Sequence, residues 1–254
     1  MSLIQSEDEV STTTIDRVKT GVPGLDELIS GGIPKGTITL VSGPPGSCKT
    51  IICCQFLYQG VQDGDKCLFL TLDKKVEGLL GQIKELGLDF QPAIEKGQIK
   101  FQFLNINKKL IYEAMTNEIL SGDYDRIVLD SITPLSEMPI YINNLELSKD
   151  INIIDPEDFS ADGNFPIRRL HLHYIMNALE TSRCTSMITS ELPPGTNLLS
   201  RDGLSEFLAD GVIVLSVDPT MDRRKLSVMK MRSTKHTLKP QDMQITKGGV
   251  QIIH

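Results

Sequence analysis

From Gly36 onward, short apolar runs alternate with amphipathic stretches. The runs Thr37–Ser42, Cys67–Leu72, Ile99–Leu104, Ile127–Asp130, Ser186–Ser190 and Val212–Val217 read as buried strands, several of them continuously apolar. Between them, the spacing predicts helices at about 49–62, 76–87, 108–121 and 166–182. Strand followed by helix, repeated, implies an α/β fold with a mainly parallel central sheet and helices on both faces. The rhythm then changes. Gly211–Leu215 and Lys225–Met231 flank the turn-forming Asp218-Pro219-Thr220-Met221-Asp222, with no room for a helix, and Met243–Thr246 and Val250–Ile253 flank Gly248-Gly249. These pairs predict a C-terminal antiparallel extension of the sheet.

No linker-like stretch and no internal repeat divides the chain, so residues 18–254 read as one domain and the polar, aperiodic residues 1–17 as a flexible leader. Residues 134–166, rich in Asn, Asp, Pro and Gly, are long for a connection inside a compact domain and read as a loop on the active face. A net charge of -7 argues against a sequence-blind nucleic-acid coat. The five cysteines are odd in number and sit mostly in apolar runs, which suits reduced thiols in the cytoplasm better than a disulfide framework. No apolar run of about 18 residues suggests a membrane span, and the first residues lack a signal-peptide layout.

One segment carries clear chemistry. Gly43-Pro44-Pro45-Gly46-Ser47-Cys48-Lys49-Thr50 follows a predicted strand and opens a predicted helix, the context of a Walker A phosphate loop. Backbone N–H groups and the positive helix end would surround phosphates, Lys49 would neutralise the β and γ oxygens, and the Thr50 hydroxyl would hold Mg²⁺. Cys48 stands where the pattern has glycine. Its effect depends on the backbone there: in a glycine-only geometry a Cβ weakens the loop, and in an ordinary one it costs little. A position at a helix N-terminus beside Lys49 would also lower the thiol's pKa. The apolar strand Tyr124–Asp130 ends in an acid at the sheet's carboxyl end, where Asp130 would share the metal with Thr50.

At this point a family resemblance emerges. Thr20-Gly21-Val22-Pro23-Gly24-Leu25-Asp26, Gly31-Gly32-Ile33-Pro34, the segment Thr37–Thr50, Phe207-Leu208-Ala209-Asp210-Gly211 and Lys230-Met231-Arg232-Ser233-Thr234-Lys235-His236 together resemble KaiC-like domains of the RecA superfamily, and archaeal RadA-type recombinase paralogs, across about residues 18–253. The lack of a Phe-x-x-Ala polymerisation motif and of an N-terminal helix-hairpin-helix favours the KaiC-like side. The resemblance implies an ATP- and ADP-binding protein with Mg²⁺, assembled as a homo-oligomer such as a hexameric ring, or acting on a protein partner. In such a ring Lys230 and Arg232 reach the neighbouring subunit's nucleotide, with His236 beside them. The family's Glu-Glu catalytic pair is replaced here by Asp73-Lys74, which implies slow hydrolysis, and Glu191 occupies a sensor position that assists. Two alternatives stand: an accessory recombination factor binding single-stranded DNA, which the acidic loops disfavour, and a catalytically silent nucleotide-binding scaffold. His171 and His173 read as ordinary helix histidines.

Overall fold

The computed structural model describes residues 15–72, 75–106, 111–137 and 164–253, without the side chains of 164–171. The first half comprises β1 (Arg17–Val18), α1 (Leu25–Leu28), β2 (Ile33–Pro34), β3 (Ile38–Gly43), α2 (Lys49–Asp63), β4 (Cys67–Thr71), α3 (Val76–Glu85), α4 (Gln91–Glu95), β5 (Ile99–Phe103) and α5 (Ile111–Ser121). Then follow β6 (Arg126–Asp130), α6 (Thr133–Glu137), α7 (Asn164–Ser182), β7 (Thr185–Glu191), α8 (Ser205–Leu208), β8 (Gly211–Asp218), β9 (Arg223–Met231), β10 (Gln241–Thr246) and β11 (Gly249–Ile253).

The sheet has nine strands in the order β11-β10-β9-β8-β3-β7-β6-β4-β5. Strands β8, β3, β7, β6, β4 and β5 run parallel, whereas β9, β10 and β11 are added antiparallel beyond β8. Both expectations of the sequence pattern hold: a parallel centre and an antiparallel C-terminal extension. The continuous apolar runs make sense because successive side chains of a strand face opposite sides, and both sides are covered. Val41, Phe69, Val128 and Ile213 meet Ile52, Phe56 and Leu57 of α2. Leu40, Leu70, Leu129 and Ile188 meet Met115 and Ile119 of α5 and Ile175 and Leu179 of α7. At one edge β5 ends the sheet with Phe103 42% exposed, and no strand pairs with its outer side among the described residues.

Two expectations change, and a third falls partly outside the described residues. Arg17 belongs to the fold and not to a leader, since β1 pairs with β2 and its guanidinium donates to the carbonyls of Ile29, Gly32 and Ser233 and to Thr234 Oγ1; residues 1–14 lie outside the described residues. The long 134–166 connection begins as helix α6 and ends as the first turn of α7, while 138–163 lie outside the described residues. The helix expected from 108 is described from Ile111. Four of the cysteines, Cys53, Cys54, Cys67 and Cys184, are buried and none of the five is in a disulfide. Burial pushes the Cys67 thiol up to about 12 and the Cys184 thiol to about 11.

At the amino end of β6, Arg126 is buried under α2 with its side chain 2% exposed. Nη2 donates to Asp63 at 2.6 Å and Nε to Asp65 at 2.6 Å, while Nη1 donates to the carbonyls of Lys19 (2.7 Å) and Phe56 (3.1 Å). Its guanidinium also lies 4.9 Å from the centre of the Phe56 ring. The approach is close enough that a Cβ on Gly60 would meet Arg126 Cδ at 2.6 Å. This knot joins the later half of α2, the amino end of β6 and the segment entering α1.

Candidate functional site

β3 ends at Gly43, and the chain turns through Pro44–Cys48 into α2 at Lys49. A Cβ on Gly43 would stand 2.6 Å from Ser47 Oγ and 2.8 Å from the Leu215 carbonyl, so only glycine fits. Gly46, at φ +78, takes the left-handed conformation that glycine adopts freely. The turn closes with Ser47 N donating to the Pro44 carbonyl at 3.2 Å. It sets the positive end of a 15-residue helix at the carboxyl edge of the sheet, the physical basis of anion binding. Within the loop, Ser47 Oγ is buried without a hydrogen-bond partner in the protein. Lys49 Nζ donates to the Gly43 and Pro44 carbonyls at 2.8 and 3.2 Å, holding its charge against the loop.

Asp130 faces this loop from the end of β6. Thr50 Oγ1 donates to Asp130 Oδ2 at 2.7 Å, and Thr189 Oγ1 donates to Oδ1 at 2.5 Å. Asp130 is only 7% exposed, and both of these donors are neutral hydroxyls. A carboxylate so placed is stabilised by a nearby cation. A hydroxyl and a carboxylate oxygen side by side suit a hard divalent ion such as Mg²⁺, whose other ligands are water and phosphate. The buried orphan hydroxyl of Ser47, the glycine-restricted loop and this oxygen pair therefore fit a metal-bound polyphosphate. The structure brings Lys49, Thr50 and Asp130 together as the sequence spacing anticipates.

Other anticipated residues are placed less evenly. Glu191 ends β7 level with Gly43, its N–H donating to Thr133 Oγ1 at 2.8 Å and its side chain exposed at the rim. Asp73 and Lys74 lie outside the described residues; the strand leading to them pairs Thr71 with Asp130. Lys230, Arg232 and His236 do not join their own chain's loop. Register carries Lys230 level with Val212 and hence Leu40, toward the amino end of β3. There Lys230 Nζ donates to the carbonyls of Ala209 (2.5 Å) and Glu206 (3.1 Å), and burial and the neighbouring Arg232 lower its pKa. Arg232 pairs with Asp210 at 2.8 Å, and His236 Nδ1 lies 3.0 Å from the Thr234 carbonyl. Arg232 is eight residues along the chain from Arg224, about 25 Å at strand spacing.

Arg224 is the residue that sequence reasoning missed. It is the second residue of β9, and its Nε donates to the Gly46 carbonyl at 3.1 Å, adding a second cation to the phosphate loop. No motif marks it; only the β8–β9 register, in which Arg224 pairs with Val217 beyond the end of β3, carries it there.

Cys48 resolves the two possibilities left by the sequence. Its φ of 75 and ψ of 21 are left-handed, the geometry glycine favours. The expectation of a lowered thiol pKa is corrected: burial of the thiol pushes it up, outweighing the pull of Arg224 and Lys49. Left-handed geometry costs a non-glycine residue about 1–2 kcal/mol. Glycine adds about 0.4–1 kcal/mol of chain entropy to the unfolded state. Strain wins narrowly, so Cys48→Gly raises stability by up to about 1 kcal/mol by this balance. Urea midpoints of the two proteins check this; an unchanged or lower midpoint for the glycine variant removes the strain argument.

Among the described residues, no helix is long and apolar enough to cross a membrane. The chain matches the KaiC ATPase family over residues 18–254. It is 27% identical over 248 residues to a UPF0273 protein of Methanopyrus kandleri, covering 94% of this chain and 92% of that protein. It is 29% identical to the circadian clock protein KaiC3 of Synechocystis, covering 89% of this chain but 43% of that longer protein. The crystal structure of a KaiC-like protein from Pyrococcus horikoshii matches with a TM-score of 0.75 at 29% identity, covering 95% of this chain and 100% of that one. Taken with the phosphate loop and the sheet order, these likenesses place the chain in the KaiC ATPase family, as a nucleotide-binding protein of the RecA superfamily.

Proposed function

We propose that this protein binds ATP with Mg²⁺ at the loop Gly43–Thr50 and hydrolyses it slowly, in a regulatory or assembly role. The observation that carries the reading is the 2.7 Å bond from Thr50 Oγ1 to Asp130 Oδ2, which joins the two metal-binding candidates beside the helix N-terminus. Magnesium, when bound, would neutralise charge on the β and γ phosphates. Lys49 and Arg224 would then orient the phosphates, and Thr50 and Asp130 would hold the ion or its water shell.

Slow turnover follows from the residues available to activate water. Asp73 carries a carboxylate one methylene shorter than glutamate, and Lys74 adds a cation where the family has an acid; a misplacement of about 1 Å costs about a hundredfold in rate. Among the described residues, Glu191 is a further carboxylate, exposed at the end of β7. Lys230, Arg232 and His236 lie away from their own loop, which supports the reading that they act on a neighbouring copy in a homo-oligomer. Single-stranded DNA is less well supported: Arg201, the only cation in the loop after β7, pairs with Glu137 at 2.7 Å.

Calorimetry with ATP tests the reading. Micromolar-range affinity with Mg²⁺, weakened on adding a chelator, is expected; no heat and no thermal stabilisation at saturating Mg·ATP would refute it. Phosphate release at baseline in an otherwise ATP-binding protein would leave the silent scaffold as the better description.

A further inference from the structure

Arg232 does not project unsupported. Asp210 Oδ1 accepts from Arg232 Nη1 at 2.8 Å, and the Asp210 carbonyl accepts the Arg232 N–H at 3.0 Å. The second carboxylate oxygen accepts the N–H of Ile38 at 3.1 Å, while Asp210 N donates to the Ile38 carbonyl at 2.8 Å. Asp210 is therefore pinned at three points to the start of β3 and to β9, and its remaining oxygen grips the guanidinium. The Arg232 side chain remains 59% exposed, against 24% for Asp210, so the acid lies behind the cation and the cation faces outward.

We propose that Asp210 is the positioning residue that presets Arg232 for the nucleotide of a neighbouring copy. The proposal rests on the reading that Arg232 acts in trans. An arginine side chain carries much rotamer freedom, and fixing it in advance means less is lost when the neighbour docks. The same three backbone-anchored bonds fix where the head group lies relative to β3, the strand that runs directly into the chain's own phosphate loop. Lys230 is held in parallel by the Glu206 and Ala209 carbonyls, so the segment Glu206–Asp210 presents both cations.

The test is a double-mutant cycle on the full chain, with Asp210→Asn, Arg232→Ala and both together. Asparagine keeps an oxygen for the Ile38 N–H and removes the charge that holds Arg232. ATP affinity and melting temperature of Asp210→Asn are expected to match the parent, while phosphate release falls about tenfold and the double variant is no slower than Arg232→Ala alone. Asp210→Glu recovers part of the rate. Additive losses in the double variant, or a lowered melting temperature with unchanged rate per folded molecule, would mean Asp210 is merely structural. Parent-like release by Arg232→Ala would overturn the trans reading and this proposal with it. Slow Arg232→Ala beside parent-like Asp210→Asn would overturn the positioning role alone.

Discussion

Replacing Arg126 by alanine is expected to lower the unfolding free energy by about 3–5 kcal/mol, mostly from two backbone acceptors left without their donor and from lost packing. Three effects contribute. The Lys19 and Phe56 carbonyls lose their donor, at about 1–3 kcal/mol for a buried acceptor left unmade. The aliphatic stem leaves a cavity against Gly60. The third effect, two carboxylates stripped of their cation, is the smallest, because Asp63 and Asp65 are 38% and 26% exposed and can rehydrate. Methionine fills the space and cancels only the cavity term, so Arg126→Met should fall between alanine and the parent. Melting curves and urea midpoints give the order; equal losses for the two variants would show that packing is irrelevant there. Nucleotide affinity per folded molecule should be unchanged, since the knot lies at the amino end of β6 and the site at its carboxyl end.

Lys49→Ala is expected to weaken Mg·ATP binding by about a hundredfold. Charge-assisted hydrogen bonds contribute about 1.5–3 kcal/mol each, and about 1.4 kcal/mol is tenfold in affinity. A lysine between two phosphates thus accounts for roughly two decades. The same change removes two donors from the loop's own carbonyls, so a modest loss of stability accompanies it. Isothermal titration below the melting range of both proteins separates the two effects. Affinity within about threefold of the parent, with the loop intact, would show that Lys49 does not meet the phosphates. Arginine should not rescue, because its planar fork replaces a compact ammonium.

Much of this architecture was legible before any coordinates, and for a definite reason. Strands buried on both faces leave unbroken apolar runs, and β4, β6 and β8 each carry one. The phosphate loop was legible because glycine spacing, Lys49 and Thr50 are local in sequence. What escaped detection depends on long-range register or on burial that runs against residue type. β1 and β2 are two residues each, below any period. Arg126 reads as a surface residue, yet is among the most buried side chains. Arg224 reaches Gly46 only through antiparallel pairing across 178 positions. The same register explains why Lys230 and Arg232, close to Arg224 in sequence, stand near the other end of the sheet.

The outermost strand β5 has a consequence for handling rather than for chemistry. Its outer row of amides and carbonyls is a ready template for another chain, and Phe101 and Phe103 make it sticky. Lys100, exposed at its middle and tied to Glu118 at 2.7 Å, is the charge that discourages such stacking. Replacing Lys100 by an apolar residue would therefore favour precipitation from the β5 side, without touching the loop Gly43–Thr50.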